Sequence, residues 1–137
     1  METNNKSARD EGDILLVDDD ASIRESLKGL LTACGFRVLV ADCYDSAIAI
    51  LETTEIKIET ILCDIKMPGK SGLDVLRYVN AQDLGVPLIL LTGVASFENC
   101  RAAVKEGALE FILKPIDNKD DLLLSLRRGV DKYRMKK

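Results

Sequence analysis

The sequence contains no histidine. That absence removes Ser-His and Cys-His dyads and any imidazole general base. It also leaves the four cysteines, Cys34, Cys43, Cys63 and Cys100, without the partner that completes many zinc sites. None of the four forms a CxxC pair, so they read as reduced thiols, three of them filling core positions. No apolar run approaches the roughly 20 residues that a bilayer crossing needs. The polar stretch from Met1 to Gly12 lacks the apolar segment of a signal peptide. Basic residues are not in excess: 19 Lys and Arg stand against 23 Asp and Glu, a net charge of -4, which gives no electrostatic footprint for nucleic acid. Repeats, low-complexity tracts and linkers are also missing. What remains is the composition of one soluble cytoplasmic domain of 137 residues, 47% apolar and 31% charged. Its chemistry has to come from carboxylates, hydroxyls and lysines, with or without a metal.

Five short apolar runs punctuate the chain: Ile14 to Val17, Val38 to Val40, Thr60 to Cys63, Leu88 to Leu91 and Phe111 to Leu113. Each is too short for a helix and continuously apolar, as a strand covered on both faces should be. Amphipathic stretches separate them. Ile23, Leu27, Leu30 and Leu31 share one helix face, with Gly35 placed to end that helix. Tyr44, Ile48 and Leu51 mark a second helix, and Leu73, Leu76 and Val79 a third. Cys100, Ala103 and Val104 mark a fourth, closed by Gly107. The last runs from about Asn118, with Asp117 as its N-cap and Leu122, Leu123, Leu126, Val130 and Tyr133 along one side. Strict alternation of strand and helix implies right-handed crossovers and a parallel sheet. The expected fold is α/β: a doubly wound five-stranded parallel sheet, flavodoxin-like in its strand order 2-1-3-4-5, with helices on both faces. Residues 13–133 form the domain, and 1–12 and 134–137 are expected to be flexible.

In such a sheet, ligands bind beyond the carboxyl ends of the strands. The first strand ends in Asp18-Asp19-Asp20, the third in Asp64, the fourth in Thr92 and the fifth in Lys114-Pro115. Four strands thus deliver an ionisable or hydroxyl residue to one edge. Taken singly, each has an ordinary explanation as a cap, turn or loop residue; taken together they form a pocket. Three crowded carboxylates repel one another, which a divalent cation relieves. Oxygen donors of this kind favour Mg²⁺. Lys114 and the Thr92 hydroxyl would then serve phosphoryl oxygens.

These residues resemble the receiver domains of bacterial two-component systems. The motifs are Leu15-Leu16-Val17-Asp18-Asp19-Asp20, Cys63-Asp64-Ile65-Lys66-Met67-Pro68-Gly69, Leu91-Thr92-Gly93 after Val86-Pro87, and Phe111-Ile112-Leu113-Lys114-Pro115. The resemblance runs from about Asp13 to Val130. It implies that Asp64 accepts a phosphoryl group from a sensor histidine kinase or phosphotransfer protein. It further implies that Asp18, Asp19, Asp64 and the main-chain carbonyl of Lys66 hold Mg²⁺. Lys114 would pair with the phosphoryl group, Thr92 would turn toward it, and Phe111 would move inward behind Thr92. The Lys114-Pro115 bond would be cis. The output surface would comprise the fourth helix, fifth strand and fifth helix, facing a downstream effector or, on phosphorylation, a second copy. Leu123 and Leu126 are expected in the core, Val130 and Tyr133 at partner contacts. Such a domain is no enzyme beyond its own phosphorylation and dephosphorylation, and it contacts neither nucleic acid nor membrane directly.

Three positions depart from the common pattern. Phe111 has no hydroxyl where tyrosine is frequent, and Lys66 and Val94 flank the pocket where polar or acidic groups are common. Val94 hindering an attacking water, with Lys66 near the phosphoryl oxygens, would lengthen the life of the acyl phosphate. Other functions fit less well. An aspartyl phosphatase usually needs a second acid where Lys66 stands. A receiver-like module that has abandoned phosphate would lack one of the acids or the lysine. A flavodoxin-type carrier needs a phosphate-cradling loop after the first strand. The chain reads equally as a stand-alone receiver or as part of a longer regulator.

Overall fold

The computed structural model describes residues 11–93, 97–116 and 118–135, with the side chains at 97, 99 and 100 set aside. Strands β1 (Gly12–Val17), β2 (Phe36–Ala41), β3 (Thr60–Asp64), β4 (Leu88–Thr92) and β5 (Glu110–Leu113) alternate with five helices. These are α1 (Ala21–Ala33), α2 (Tyr44–Thr53), α3 (Gly72–Ala81), α4 (Phe97–Glu106) and α5 (Lys119–Met135). All strand pairs are parallel and the order is β2-β1-β3-β4-β5, as the alternation predicts.

The continuous apolar runs are explained by two cores, one on each face. Side chains of odd number in β1 and β3, such as Leu15, Val17, Ile61 and Cys63, pack with Ala47 of α2, Leu76 and Val79 of α3 and Ala103 of α4. Their neighbours Ile14, Leu16 and Leu62 point the other way, to Leu27 and Leu31 of α1 and to Leu122, Leu126 and Val130 of α5. Each fully buried leucine of this kind contributes about 1.5–3 kcal/mol.

The helix ends follow local chemistry. Asp20 caps α1, its Oδ1 accepting from the N–H groups of Ser22 and Ile23 at 2.9 and 3.2 Å. Gly35 follows α1 with φ 100° and Gly107 follows α4 with φ 92°, conformations that favour glycine. Ser71 and Asp74 cap α3 reciprocally: Ser71 Oγ accepts from Leu73 N–H at 3.2 Å, and Asp74 Oδ2 accepts from Ser71 N–H at 2.8 Å. At α5 the capping oxygen belongs to Asn118, whose Oδ1 accepts from the N–H groups of Asp120 and Asp121 at 2.9 and 3.3 Å. Asp117, expected in that role, lies outside the described residues.

Helix α5 lies unusually close to the sheet. A Cβ on Gly129 would come within 2.5 Å of the Thr60 hydroxyl, and one on Gly12 within 2.6 Å of Val130. Val130 is therefore a core residue at 2% exposure, not a partner contact, and Tyr133 is half-buried. Arg134 pairs with Glu59 at 2.7 Å, and α5 runs through Met135. Val104 and Leu113 are misplaced as well: Val104, 77% exposed, points away from the face that Ala103 buries, and Leu113 at the end of the edge strand β5 is 52% exposed. Cys63 is buried, whereas Cys34 and Cys43 are only half-buried, so fewer thiols fill the core than the three expected. The side chain of Cys100 lies outside the described residues. At the far end of α4, Asn80 of α3 donates to the Glu106 carbonyl at 2.6 Å and Arg77 pairs with the Glu106 carboxylate at 3.2 Å.

Candidate functional site

Sheet register builds the site. Val17 pairs with Cys63, so Asp18 and Asp64 emerge side by side on the face of Leu16 and Leu62. Asp64 in turn pairs with Leu91, and Thr92 with Leu113, which sets Lys114 at the same edge. Carboxylate oxygens of Asp18, Asp19 and Asp64 lie within 4.8 Å of one another. Asp18 and Asp64 are buried while Asp19 is exposed, so the cluster opens to solvent on one side. Lys114 Nζ donates to Asp18 Oδ2 at 3.0 Å and to Asp64 Oδ2 at 3.2 Å. The Lys114-Pro115 bond is cis.

Two further loops fix the acids. Asp18 N–H donates to the Ala41 carbonyl at 3.1 Å. Its Oδ1 accepts from Asp20 N–H at 3.0 Å, and its carbonyl accepts from Arg24 Nη1 at 2.7 Å. Behind Asp64, the Gly72 N–H donates to the Ile65 carbonyl at 2.9 Å. A Cβ on Gly72 would collide with the Asp64 carbonyl oxygen, so only glycine lets α3 begin so close to this strand end.

Charge is poorly balanced in the pocket. Burial pushes the Asp64 carboxyl above its ordinary value of 3.8, and the Asp18 charge adds to this; the Lys114 ammonium opposes both without cancelling them. For Lys114, burial alone would favour the neutral amine, yet the hydrogen bond to Asp18 and the charges of Asp64 and Asp18 hold it above 10.5. Three carboxylates thus share one ammonium. All the donors are hard oxygens, and the excess is negative. Such a set suits a small divalent cation, and it would bind phosphoryl oxygens only with one present.

The other expected residues lie around this cluster. Thr92 is buried at the end of β4, and its carbonyl accepts from Lys114 N–H at 2.7 Å. Lys66 follows β3 with an exposed side chain. Phe111 is half-buried on β5, opposite Leu90, and packs on the core beneath α2, α3 and α4. Val94 lies outside the described residues. A cleft of about 460 Å³ borders the site, lined by Ile23, Ser26 and Leu27 of α1 and by Lys114, Pro115 and Ile116. Sequence reasoning missed Arg24 and Gly72. Arg24 serves a main-chain carbonyl, which leaves no side-chain partner to read, and Gly72 serves by having no side chain.

Comparison with known proteins gives a consistent picture. A family model described as "response regulator receiver domain" matches residues 14–127. The transcriptional regulatory protein ZraR of Salmonella typhimurium is 34% identical over 105 residues, 77% of this chain and 23% of that protein. FixJ of Bradyrhizobium diazoefficiens is 34% identical over 116 residues, 84% of this chain and 54% of that protein. The chain therefore spans from about a quarter to about half of the length of these relatives. Among solved structures, a receiver domain protein from Clostridium thermocellum superposes with a TM-score of 0.84 at 30% identity, covering 92% of this chain and 99% of that one. A CheY-like receiver domain protein from Methanospirillum hungatei gives 0.84 at 32% identity, covering 92% and 98%. No helix among the described residues is long and apolar enough to cross a membrane.

Proposed function

The chain belongs to the response regulator receiver family, and on that premise we propose that it is a phosphoacceptor switch whose acceptor is Asp64. The observation that carries this reading is the bridge of Lys114 between Asp18 and Asp64 at 3.0 and 3.2 Å, beside Asp19, at the edge where four strands deliver their polar residues.

The donor is the phosphohistidine of a sensor kinase or phosphotransfer protein. A carboxylate oxygen of Asp64 forms a bond to phosphorus as the phosphorus–nitrogen bond breaks, and the imidazole leaves with that electron pair. Asp18, Asp19, Asp64 and the Lys66 carbonyl would hold Mg²⁺. When bound, it offsets the charge that the acids and the phosphoryl oxygens bring together. Lys114 gives up its shared position to pair with the phosphoryl group, a charge-assisted contact. Thr92 turns its hydroxyl toward the same group, and Phe111 follows into the space behind it. Because Phe111 lacks a hydroxyl, its inward state gains burial only. The output surface is α4, β5 and α5, read by an effector or by a second copy. Turnover is confined to the chain's own acyl phosphate, whose decay Lys66 and Val94 slow.

Incubation with Mg²⁺ and a small acyl phosphate donor tests the reading. The expected result is the mass of one phosphoryl group on the wild type, mapped to Asp64, and none on Asp64→Asn. Equal labelling of Asp64→Asn, or none of the wild type, overturns it. Measuring oligomeric state in the same samples separates effector binding from self-association as the output. Faster decay of the labelled Val94→Glu variant would support the role given to Val94.

A further inference from the structure

Asp18 is held at every polar atom. Its N–H bonds to the Ala41 carbonyl, Oδ1 accepts from Asp20 N–H, Oδ2 from Lys114 Nζ, and its carbonyl from Arg24 Nη1, the shortest of the four at 2.7 Å. Arg24 is half-buried in the second turn of α1, whose start Asp20 fixes. Its guanidinium also acts by charge on Asp42, which follows β2, so it sits where the loops after β1 and β2 meet.

The choice of a carbonyl as partner matters. A guanidinium on the Asp18 carboxylate would occupy the oxygens that a cation needs. On the carbonyl it fixes the Asp18-Asp19 peptide plane and adds no further partner to either carboxylate. Lys114 cannot perform this service, because it must leave Asp18 to meet a phosphoryl group. The Asp18 carbonyl is buried with its residue, and a charge-assisted bond to it is costly to lose.

We propose that Arg24 is a positioning residue for the cation site: it clamps the Asp18-Asp19 peptide so that both carboxylates face Asp64. The inference rests on the phosphoacceptor reading. Without the clamp the peptide rotates and the exposed Asp19 carboxylate drifts out of the cluster, while Asp64 and Lys114 stay in place. Arg24 touches neither the cation nor the phosphoryl group, so it acts only through Asp18 and Asp19.

Titration calorimetry with magnesium chloride alone provides the test, on the wild type and on Arg24→Gln, Arg24→Ala and Arg24→Lys. Loss of an outer partner of a metal ligand typically weakens binding about 10-fold or more. The expected result is that loss for Gln and Ala, with Lys intermediate because it keeps the charge and one donor. In the small-donor assay, the Mg²⁺ concentration for half-maximal labelling should rise by the same factor, with the rate at saturating Mg²⁺ maintained. Wild-type affinity in Arg24→Gln overturns the proposal, and this shorter, uncharged polar variant remains informative if Arg24→Ala fails to fold. A rate that stays low at saturating Mg²⁺ also overturns it, because the residue would then act on the chemistry. If the wild type itself binds no Mg²⁺, the phosphoacceptor reading fails first and takes this inference with it.

Discussion

Replacing Asp64 by asparagine keeps the side-chain shape and removes one of three carboxylates that share an ammonium. In the metal-free chain this should raise stability. Asp64 is 5% exposed and lies 3.2 Å from Lys114, yet burial and the Asp18 charge still hold its carboxyl above the ordinary 3.8. A carboxyl raised by folding binds its proton more tightly in the native chain than in the unfolded one. Its contribution is thus fully present below 3.8 and is lost as pH rises through the elevated native value. Near neutrality the ionised Asp64 opposes folding, and asparagine does not. In the variant, Lys114 keeps Asp18 as a one-to-one partner at 3.0 Å. The gain should be about 1–2 kcal/mol, the scale of one buried polar group left poorly compensated. For a domain of this size that corresponds to about 3–8 °C in Tm. Thermal unfolding in EDTA from about pH 4 to about pH 7.5 measures it, with the gap between variant and wild type opening as pH rises. Mg²⁺ should then close the gap by stabilising the wild type through mass action. A variant less stable than wild type near neutrality in EDTA, or a gap indifferent to pH, would refute the reasoning.

Lys114→Met should destabilise the metal-free protein by about 2–3 kcal/mol in urea unfolding, toward the low end for one-sided loss of a buried pair because solvent reaches the lysine. The same substitution should cost less in an Asp64→Asn background. Gly129→Ala should lose about 1–2 kcal/mol despite a helix-propensity gain of roughly 1 kcal/mol, since its Cβ would sit 2.5 Å from the Thr60 hydroxyl. Combining it with Thr60→Ala should recover most of that loss in a double-mutant cycle. Asn80→Ala removes the donor to the Glu106 carbonyl. Amide exchange at the end of α4 should quicken about fivefold, equivalent to about 1 kcal/mol of local opening, with the global unfolding midpoint nearly unchanged.

The sheet and the acid cluster were legible in the sequence for the same physical reason. Strands covered on both faces are continuously apolar, so the first polar residue after each run marks the sheet edge, and parallel register brings those residues together. Asp18, Asp64 and Lys114 could be placed beside one another in that way. Helix faces were less legible where a distant segment decides them. Val130 is inward because Gly12 leaves room for it, and Gly12 is more than a hundred residues away. Val104 is outward although its neighbour Ala103 is buried. Arg24 was invisible because periodicity and motif spacing compare side chains, and its partner is a backbone oxygen.

The tight seam beneath α5 limits how that helix can respond to change elsewhere in the molecule. With Gly129 seated on Thr60, Val130 filling the hollow at Gly12 and Arg134 paired with Glu59, that helix has little room to roll or slide. It behaves as a fixed rail. Anything displayed along it changes only through outward side chains such as the half-exposed Leu124, or through whatever moves beside it.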